Sequence, residues 1–159
     1  MKISESWILS FDKKPTKKSL DISSTFTNAG LEVEDTFSRI YFENIKVGLI
    51  DSLKKVSPSL IEVNIFVKKK KLKVICSDLS INNGDLVPVA IKGSIIGKTS
   101  VKEKKVKNFI SQGMLCSEFE LGLGSDSKKV LRLSPSEFSS GDDIWNKLAL
   151  SKNIFSFKI

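Results

Sequence analysis

The chain has 159 residues, a formal net charge of +8, 40% hydrophobic residues and no histidine, which suits one ordinary domain or one domain with a small appendage. The lack of histidine excludes histidine-dependent triads, histidine general bases and histidine-ligated zinc. No apolar run approaches the ~20 residues that span a bilayer and no signal-peptide core follows Met1, so we expect a cytoplasmic protein without a membrane partner.

The first 38 residues predict a small α+β unit. Ser4 can cap a first helix, and Thr16 can cap a second helix with an apolar stripe. Gly30 follows that helix where a glycine commonly ends one. Leu31–Phe37 then alternates between apolar and polar residues, which predicts a half-buried strand.

From Arg39 the pattern changes to short strands separated by turns, and we place a domain boundary there. Pro88 predicts an edge strand or a strand start, because proline cannot donate a ladder hydrogen bond. Glycine-marked bends between short strands predict a small barrel, most commonly an oligonucleotide/oligosaccharide-binding (OB) fold, although a small sandwich fits the same pattern. The predicted strands are Val47–Val56, Leu60–Lys68, Leu72–Cys76, Val87–Ile91, Ser94–Ile96 and Val106–Ile110.

A distinctive stretch runs from Ser111 to Leu123. Gly113 predicts a chain reversal or a bulge that leads into a buried strand. Ser117 can cap one helical turn, and Gly122 stands where a C-terminal glycine belongs.

The last part of the chain predicts one helix and one strand. Asp142 and Asp143 can begin a helix that ends near Leu148, and Ile154–Ile159 is apolar and strand-like. This strand and Leu31–Phe37 both lack a neighbour in sequence, so we expect them to pair. We therefore predict a mainly β protein with short helices, in which an OB barrel of residues 39–148 is inserted into a small α+β module of residues 1–38 and 149–159.

The sequence contains no pattern that predicts catalysis or a resident cofactor. A nucleotide-binding glycine loop is missing, and the acidic pairs fall at helix-cap or strand positions. Cys76 and Cys116 are far apart in sequence and stand beside apolar residues, so we expect buried, reduced thiols. We predict no catalytic residue and no metal ligand in this chain.

The basic excess favours a polyanionic partner, and RNA is the first candidate for a cytoplasmic protein. Only Arg39 and Arg132 are arginines, so nearly all of the basic residues are lysines. A general compositional bias toward lysine, rather than RNA binding, is therefore the alternative origin of the charge. The predicted phosphate contacts form two clusters. One lies at a hairpin and consists of Lys68, Lys69, Lys70 and Lys71. The other precedes Gly113 and consists of Lys102, Lys104, Lys105 and Lys107. The predicted base or backbone contacts are Asn82, Asn83, Ser111, Gln112 and Met114.

Three segments resemble the beta subunit of phenylalanyl-tRNA synthetases. Ser111–Leu123 resembles the S-x-G-M-L-C-S-x-x-E-L-G-L stretch of that family, and Met1–Trp7 and Ala29–Glu34 resemble its start in order and spacing. The resemblance implies a tRNA-binding domain that helps attach phenylalanine to its tRNA. It also implies an alpha-subunit partner in a heterotetramer, and ATP and magnesium for the whole synthetase, whereas this fragment alone is expected to be inactive.

Two segments depart from the family pattern. Ser57–Glu62 keeps the proline of the family loop H-P-x-A-D-K-L but lacks its histidine and lysine, and Cys76–Ser80 keeps only the cysteine of C-G-A-P-N. Both lie where the family is expected to approach RNA, so tRNA affinity is expected to be reduced. Two other hypotheses stay open: a freestanding RNA-binding module, and a scaffold domain that serves subunit assembly.

Overall fold

The computed structural model describes residues 2–4, 7–8, 10, 22–38, 40–148 and 153–157. The chain forms two compact units, Met1–Arg39 with Ala149–Ile159 and Ile40–Leu148. The expected helix cap at Thr16 lies outside the described residues. Within the described ranges, no helix combines the length and apolar character needed to cross a membrane.

The first unit contains a three-stranded antiparallel sheet and one helix. The sheet consists of β1 (Lys2–Ser4), β2 (Val33–Ser38) and β11 (Asn153–Phe157), and the helix α1 spans Ile22–Asn28. β11 is the middle strand, because its backbone pairs with β1 on one side and with β2 on the other. Phe26 packs with the apolar side chains of this unit.

The second unit is a curled antiparallel sheet. Its spatial order is β10–β6–β3–β4–β5, with β7 added to β6 and with β8 and β9 forming a separate hairpin. The fourth and fifth strands pair without a register shift, with Val63 opposite Val74, whereas the pairings of the third strand with the fourth and sixth strands contain register shifts. The elements are β3 (Phe42–Ser57), β4 (Leu60–Val67), β5 (Lys70–Cys76), β6 (Leu86–Ile96), β7 (Thr99–Ser100), β8 (Lys104–Val106), β9 (Phe109–Ser111), β10 (Gly113–Leu115) and a short helix α2 (Ile144–Lys147).

The free edge of β5 is bonded by the corner between β9 and β10. The Gln112 amide donates to the carbonyl of Lys73 (2.9 Å), and the Lys73 amide donates to Oε1 of Gln112 (2.9 Å). The Ile75 amide donates to the hydroxyl of Ser111 (3.0 Å). These bonds satisfy donors that an open edge would leave to solvent, and the curled sheet with this contact has an OB-like shape. The predicted fold class is confirmed.

The core lies inside this curl because alternate residues of each strand face inward. Val63, Val74 and Val89 are fully buried, and burying each such side chain contributes about 1.5–3 kcal/mol relative to exposure. Gly48 makes room in the same core, since a Cβ there would stand 2.5 Å from Ile65 and 2.6 Å from Val89. Gly48 is therefore required by packing.

Two strand predictions were wrong in detail: the expected strands Val87–Ile91 and Ser94–Ile96 are parts of one continuous strand, β6, and the expected strand Val106–Ile110 is not a single strand. The expected strand Val106–Ile110 is a hairpin, because Lys107 adopts a φ of 55° and turns the chain between β8 and β9. Pro88 lies near the start of β6 as expected, but β6 is an inner strand. The carbonyl of Pro88 accepts a hydrogen bond from the Cys116 amide. In an antiparallel ladder the nitrogen and the carbonyl of one residue point to the same side, so the N–H that proline lacks would also have faced Cys116. The Cys116 carbonyl, which proline cannot serve as a donor, accepts a hydrogen bond from the Leu131 amide instead, so it is not left without a partner.

Candidate nucleic-acid interface

The strand β10 leads into one helical turn that a reciprocal pair of side-chain bonds holds. The Glu120 amide donates to the Ser117 hydroxyl (3.3 Å), and the Ser117 amide donates to the Glu120 carboxylate (2.8 Å). This is the capping-box arrangement that the sequence Ser-x-x-Glu favours. Gly122 ends the turn with a φ of 64°, so the predicted cap and C-terminal glycine are both confirmed.

Two adjoining depressions lie beside this turn and form what we call the groove. They hold about 380 Å³ and about 190 Å³ and share Ile75, Met114 and Glu120 in their linings. Lys102 and Lys104 line only the larger depression, and Lys128 and Lys129 line only the smaller one. The groove therefore combines a shared partly apolar lining with one pair of lysines in each half.

The lysines of the groove are available for an anionic ligand. All four side chains are exposed, and none has a carboxylate within ion-pair distance in the described part of the chain. Glu120, the carboxylate common to both halves, already accepts from the Ser117 amide and hydroxyl. Exposed ammonium groups beside apolar side chains suit a nucleic-acid backbone with phosphates at the lysines.

The structure brings four of the thirteen predicted contact residues to the groove. Lys102, Lys104 and Ser111 line the larger depression, and Met114 lines both. Lys105 and Lys107 belong to the same β8–β9 hairpin but do not line the groove. The cluster before Gly113 is therefore divided between the groove and the neighbouring hairpin.

The second predicted lysine cluster lies on another hairpin, between β4 and β5. Lys71 is paired with Asp51 (2.9 Å), and the Lys68 amide donates to the Ser140 hydroxyl (3.0 Å). Lys69 and Lys70 are exposed. None of these residues lines the groove, so the two clusters do not form one site with it.

Three of the predicted polar contacts have roles inside the fold. The hydroxyl of Ser111 and the side-chain oxygen of Gln112 bond the edge of β5. Asn82 lies in the predicted turn before β6, where its amide donates to Asp85 (2.8 Å) and its side chain donates to the Ser80 carbonyl. Asn83 is exposed beside it.

Sequence reasoning missed Lys128 and Lys129. Both backbone amides donate to one oxygen of Asp126, at 2.8 and 3.1 Å, and these bonds hold the pKa of Asp126 below its usual range. An aspartate that caps its own turn is recognisable as Asp-x-Lys-Lys. The position of that turn beside β5 depends on contacts from distant residues, which no local pattern contains.

Residues 45–143 match the family model described as "Putative tRNA binding domain". The chain is 33% identical over 144 residues to the phenylalanine–tRNA ligase beta subunit of Syntrophus aciditrophicus, covering 87% of this chain and 18% of that protein. It is 32% identical to the beta subunits of Legionella pneumophila (strain Paris) and Buchnera aphidicola, with all of this chain and 20% of each relative covered. The chain thus spans about a fifth of the length of these relatives.

Among solved structures, a MetRS related protein from Pyrococcus horikoshii matches 64% of this chain and 88% of its own, with 21% sequence identity and a TM-score of 0.47.

Proposed function

Since this chain belongs to the tRNA-binding domain family and matches the tRNA-binding region of phenylalanine–tRNA ligase beta subunits, we propose that it holds tRNA for such a synthetase and is not itself catalytic. The observation that carries the proposal is the groove, all of whose lining residues fall within the matched range. Lys102 with Lys104 and Lys128 with Lys129 would contact phosphates, and Met114 would contact a base or sugar between them.

The other predicted residues have secondary roles in this proposal. The exposed lysines outside the groove extend the basic surface, and Asn83 is an exposed polar contact. Ser111, Gln112 and Asn82 act indirectly, because their side chains support the barrel edge and a turn. The lysines outside the groove are Lys68, Lys69, Lys70, Lys71, Lys105 and Lys107.

The partners of the complete protein are also proposals from the relatives. We expect a phenylalanine-accepting tRNA, an alpha subunit that completes a heterotetramer, and a cytoplasmic location. ATP and magnesium would serve the whole synthetase. The described residues hold no group of three or more His, Cys, Asp or Glu side chains that could bind a metal.

The test is a titration of labelled tRNA at several salt concentrations. Replacing Lys102 and Lys104 with alanine, or Lys128 and Lys129, should weaken binding and flatten the slope of log K against log salt by roughly 0.7–0.9 per lost phosphate contact. Lys54→Ala with Lys55→Ala is the matched control, since it removes two exposed lysines outside the groove. An unchanged slope in both groove variants would place the site elsewhere.

The same assay separates the remaining hypotheses. A scaffold domain that serves only subunit assembly would bind no tRNA even at low salt. A freestanding RNA-binding module would bind an unrelated structured RNA of equal length as tightly as phenylalanine-accepting tRNA. The proposed role predicts salt-sensitive binding with a preference for the tRNA, and no formation of phenylalanyl-tRNA by this chain alone.

A further inference from the structure

A buried carboxylate, Asp78, lines the smaller depression of the groove. The side chain of Asp78 is only 6% exposed, and its two oxygens face different segments. Oδ1 accepts from the amide (2.9 Å) and the hydroxyl (2.6 Å) of Ser80, and Oδ2 accepts from the Val130 amide (2.8 Å) and Nη1 of Arg132 (3.2 Å). Burial raises the pKa of Asp78, but the bonds from Ser80, the Val130 amide and Arg132 together outweigh burial and lower it.

Arg132 connects the same segments a second time. Its Nη1 donates to the carbonyl of Val130 (2.8 Å), and its Nη2 donates to the hydroxyl of Ser80 (2.8 Å). Its Nε lies 3.8 Å from Asp85. The planar guanidinium can make these bonds together because its donors form a fixed fork. Residues 78–80 and 130–132 are therefore joined on both sides of the carboxylate.

This network fixes one end of the segment that carries two lysines of the groove. Lys128 and Lys129 lie between Asp126, which accepts their backbone amides, and Val130, whose amide is held by Asp78. We propose that Asp78, together with Arg132, is a positioning residue for RNA binding that holds Lys128 and Lys129 at the groove. The inference rests on the proposed function, because it assumes that these lysines contact phosphates.

Charge alone predicts the opposite effect of removing Asp78. The carboxylate contributes a negative charge beside the groove, so its loss would make the protein more basic and should strengthen polyanion binding. A positioning role predicts weaker binding from the same change. The sign of the effect therefore distinguishes the two explanations.

The experiment compares Asp78→Asn, Arg132→Lys and Ser80→Ala with Lys128→Ala/Lys129→Ala. Asp78→Asn turns one acceptor into a donor, Arg132→Lys keeps the charge but loses the fork, and Ser80→Ala removes one hydroxyl without changing any charge. Affinity for labelled tRNA is measured against salt, at a temperature where each variant is folded. Hydrogen exchange at the Val130 amide reports whether the segment has been released.

We expect Asp78→Asn and Arg132→Lys to weaken binding by about the same factor as the double lysine variant, and to flatten the salt slope by up to roughly 1.4–1.8, the equivalent of two phosphate contacts. Combining Asp78→Asn with the lysine variant should weaken binding by no more than about twofold further, since coupled residues are not additive. When Asp78→Asn is combined with Lys54→Ala/Lys55→Ala, the effects of the two variants on the binding free energy should add.

Tighter or unchanged binding by the variants, with a faster-exchanging Val130 amide, would overturn the positioning role. If Asp78→Asn does not fold, Arg132→Lys and Ser80→Ala decide the same question, with the smaller effect expected for Ser80→Ala. Failure of the proposed function is a different result: the lysine variant would then leave affinity unchanged, whatever the network variants do.

Discussion

Gln112 and Lys73 are joined by two hydrogen bonds of 2.9 Å, one from the Gln112 backbone amide to the Lys73 carbonyl and one from the Lys73 amide to the Gln112 side-chain oxygen. A side-chain carbonyl thus takes the place of a backbone carbonyl at the edge of β5. Because a side-chain oxygen accepts this bond, the backbone can turn at Gln112 toward β10 while the edge of β5 stays hydrogen-bonded.

Gln112→Ala should destabilise the barrel edge because it leaves the Lys73 amide without its acceptor. We expect a loss of about 0.5–1.5 kcal/mol in the free energy of unfolding, the usual net value of one such bond, together with faster exchange of the Lys73 amide. Gln112→Glu keeps an oxygen at this position and is the control. Equal Lys73 exchange in the alanine variant and the wild type would contradict the assignment. Urea unfolding and amide exchange measure both quantities.

Gly113→Ala should disturb the pairing of β10 with β6. A Cβ at Gly113 would stand 2.6 Å from the carbonyl oxygen of Ala90, a backbone atom that cannot move away freely. We expect a loss of roughly 1–3 kcal/mol, as for other overpacked sites. Gly124→Ala is the matched control, because the atoms nearest to its Cβ belong to the flexible side chain of Glu118 rather than to the backbone. Thermal unfolding should separate the two variants, and equal midpoints would be evidence against the close approach.

Acid should weaken the Asp78 network. The folded-state pKa of Asp78 is lower than its ordinary value of 3.8, so its contribution is complete above the unfolded pKa and disappears as pH falls through the folded value. Asp78→Asn should accordingly be less stable than wild type at pH 7. That difference should narrow below pH 3.8, and urea unfolding from pH 7 downward measures it. A difference independent of pH would exclude the carboxylate as its source.

Cys116 should resist thiol reagents in the folded protein. Burial, with the neighbouring charge of Glu120, raises the pKa of the Cys116 thiol to about 12, and burial also raises the pKa of Cys76. Thiolates are the reactive form, so labelling at pH 8 should require opening of the barrel. Cys76→Ser isolates Cys116, and unfolded protein gives the reference rate. Labelling of Cys116 in the folded protein at that reference rate would refute the burial argument.

Deleting residues 153–159 tests whether residues 1–38 and 149–159 form one folding module. The deletion removes β11, the middle strand, and leaves β1 and β2 without a neighbour. We expect the amides of Val33–Ser38 to lose protection, whereas Val63 and Val74 in the barrel keep theirs as a separate cooperative unit. Retained protection of Val33–Ser38 would argue against the module.

The sequence predicted the features that local chemistry determines. Alternation identified β4, which was expected at Leu60–Lys68 and spans Leu60–Val67. The N-cap of α2 followed from Asp143, whose side chain accepts from the Asn146 amide. Such signals succeed because the residues that make each contact lie within a few positions of one another.

The candidate site was predictable only in part, because long-range contacts decide which side chains remain available. Ser111 and Gln112 had the chemistry of RNA contacts, but their oxygens bond β5, 36 and 39 residues away. Lys128 and Lys129 reach the groove through Asp78, which bonds Val130 across 52 residues. A linear pattern shows the residue types but not these pairings.

The middle position of β11 has a consequence for synthesis. β1 and β2 flank a strand that the ribosome makes only after residues 39–152, which takes roughly 6–23 s at ~5–20 residues per second. By the end of that interval all strands of the barrel have been made, whereas β1 and β2 still lack the strand that pairs with both of them. Pausing translation after the barrel and before β11 should therefore yield a nascent chain in which the barrel resists protease and residues 1–38 are cleaved.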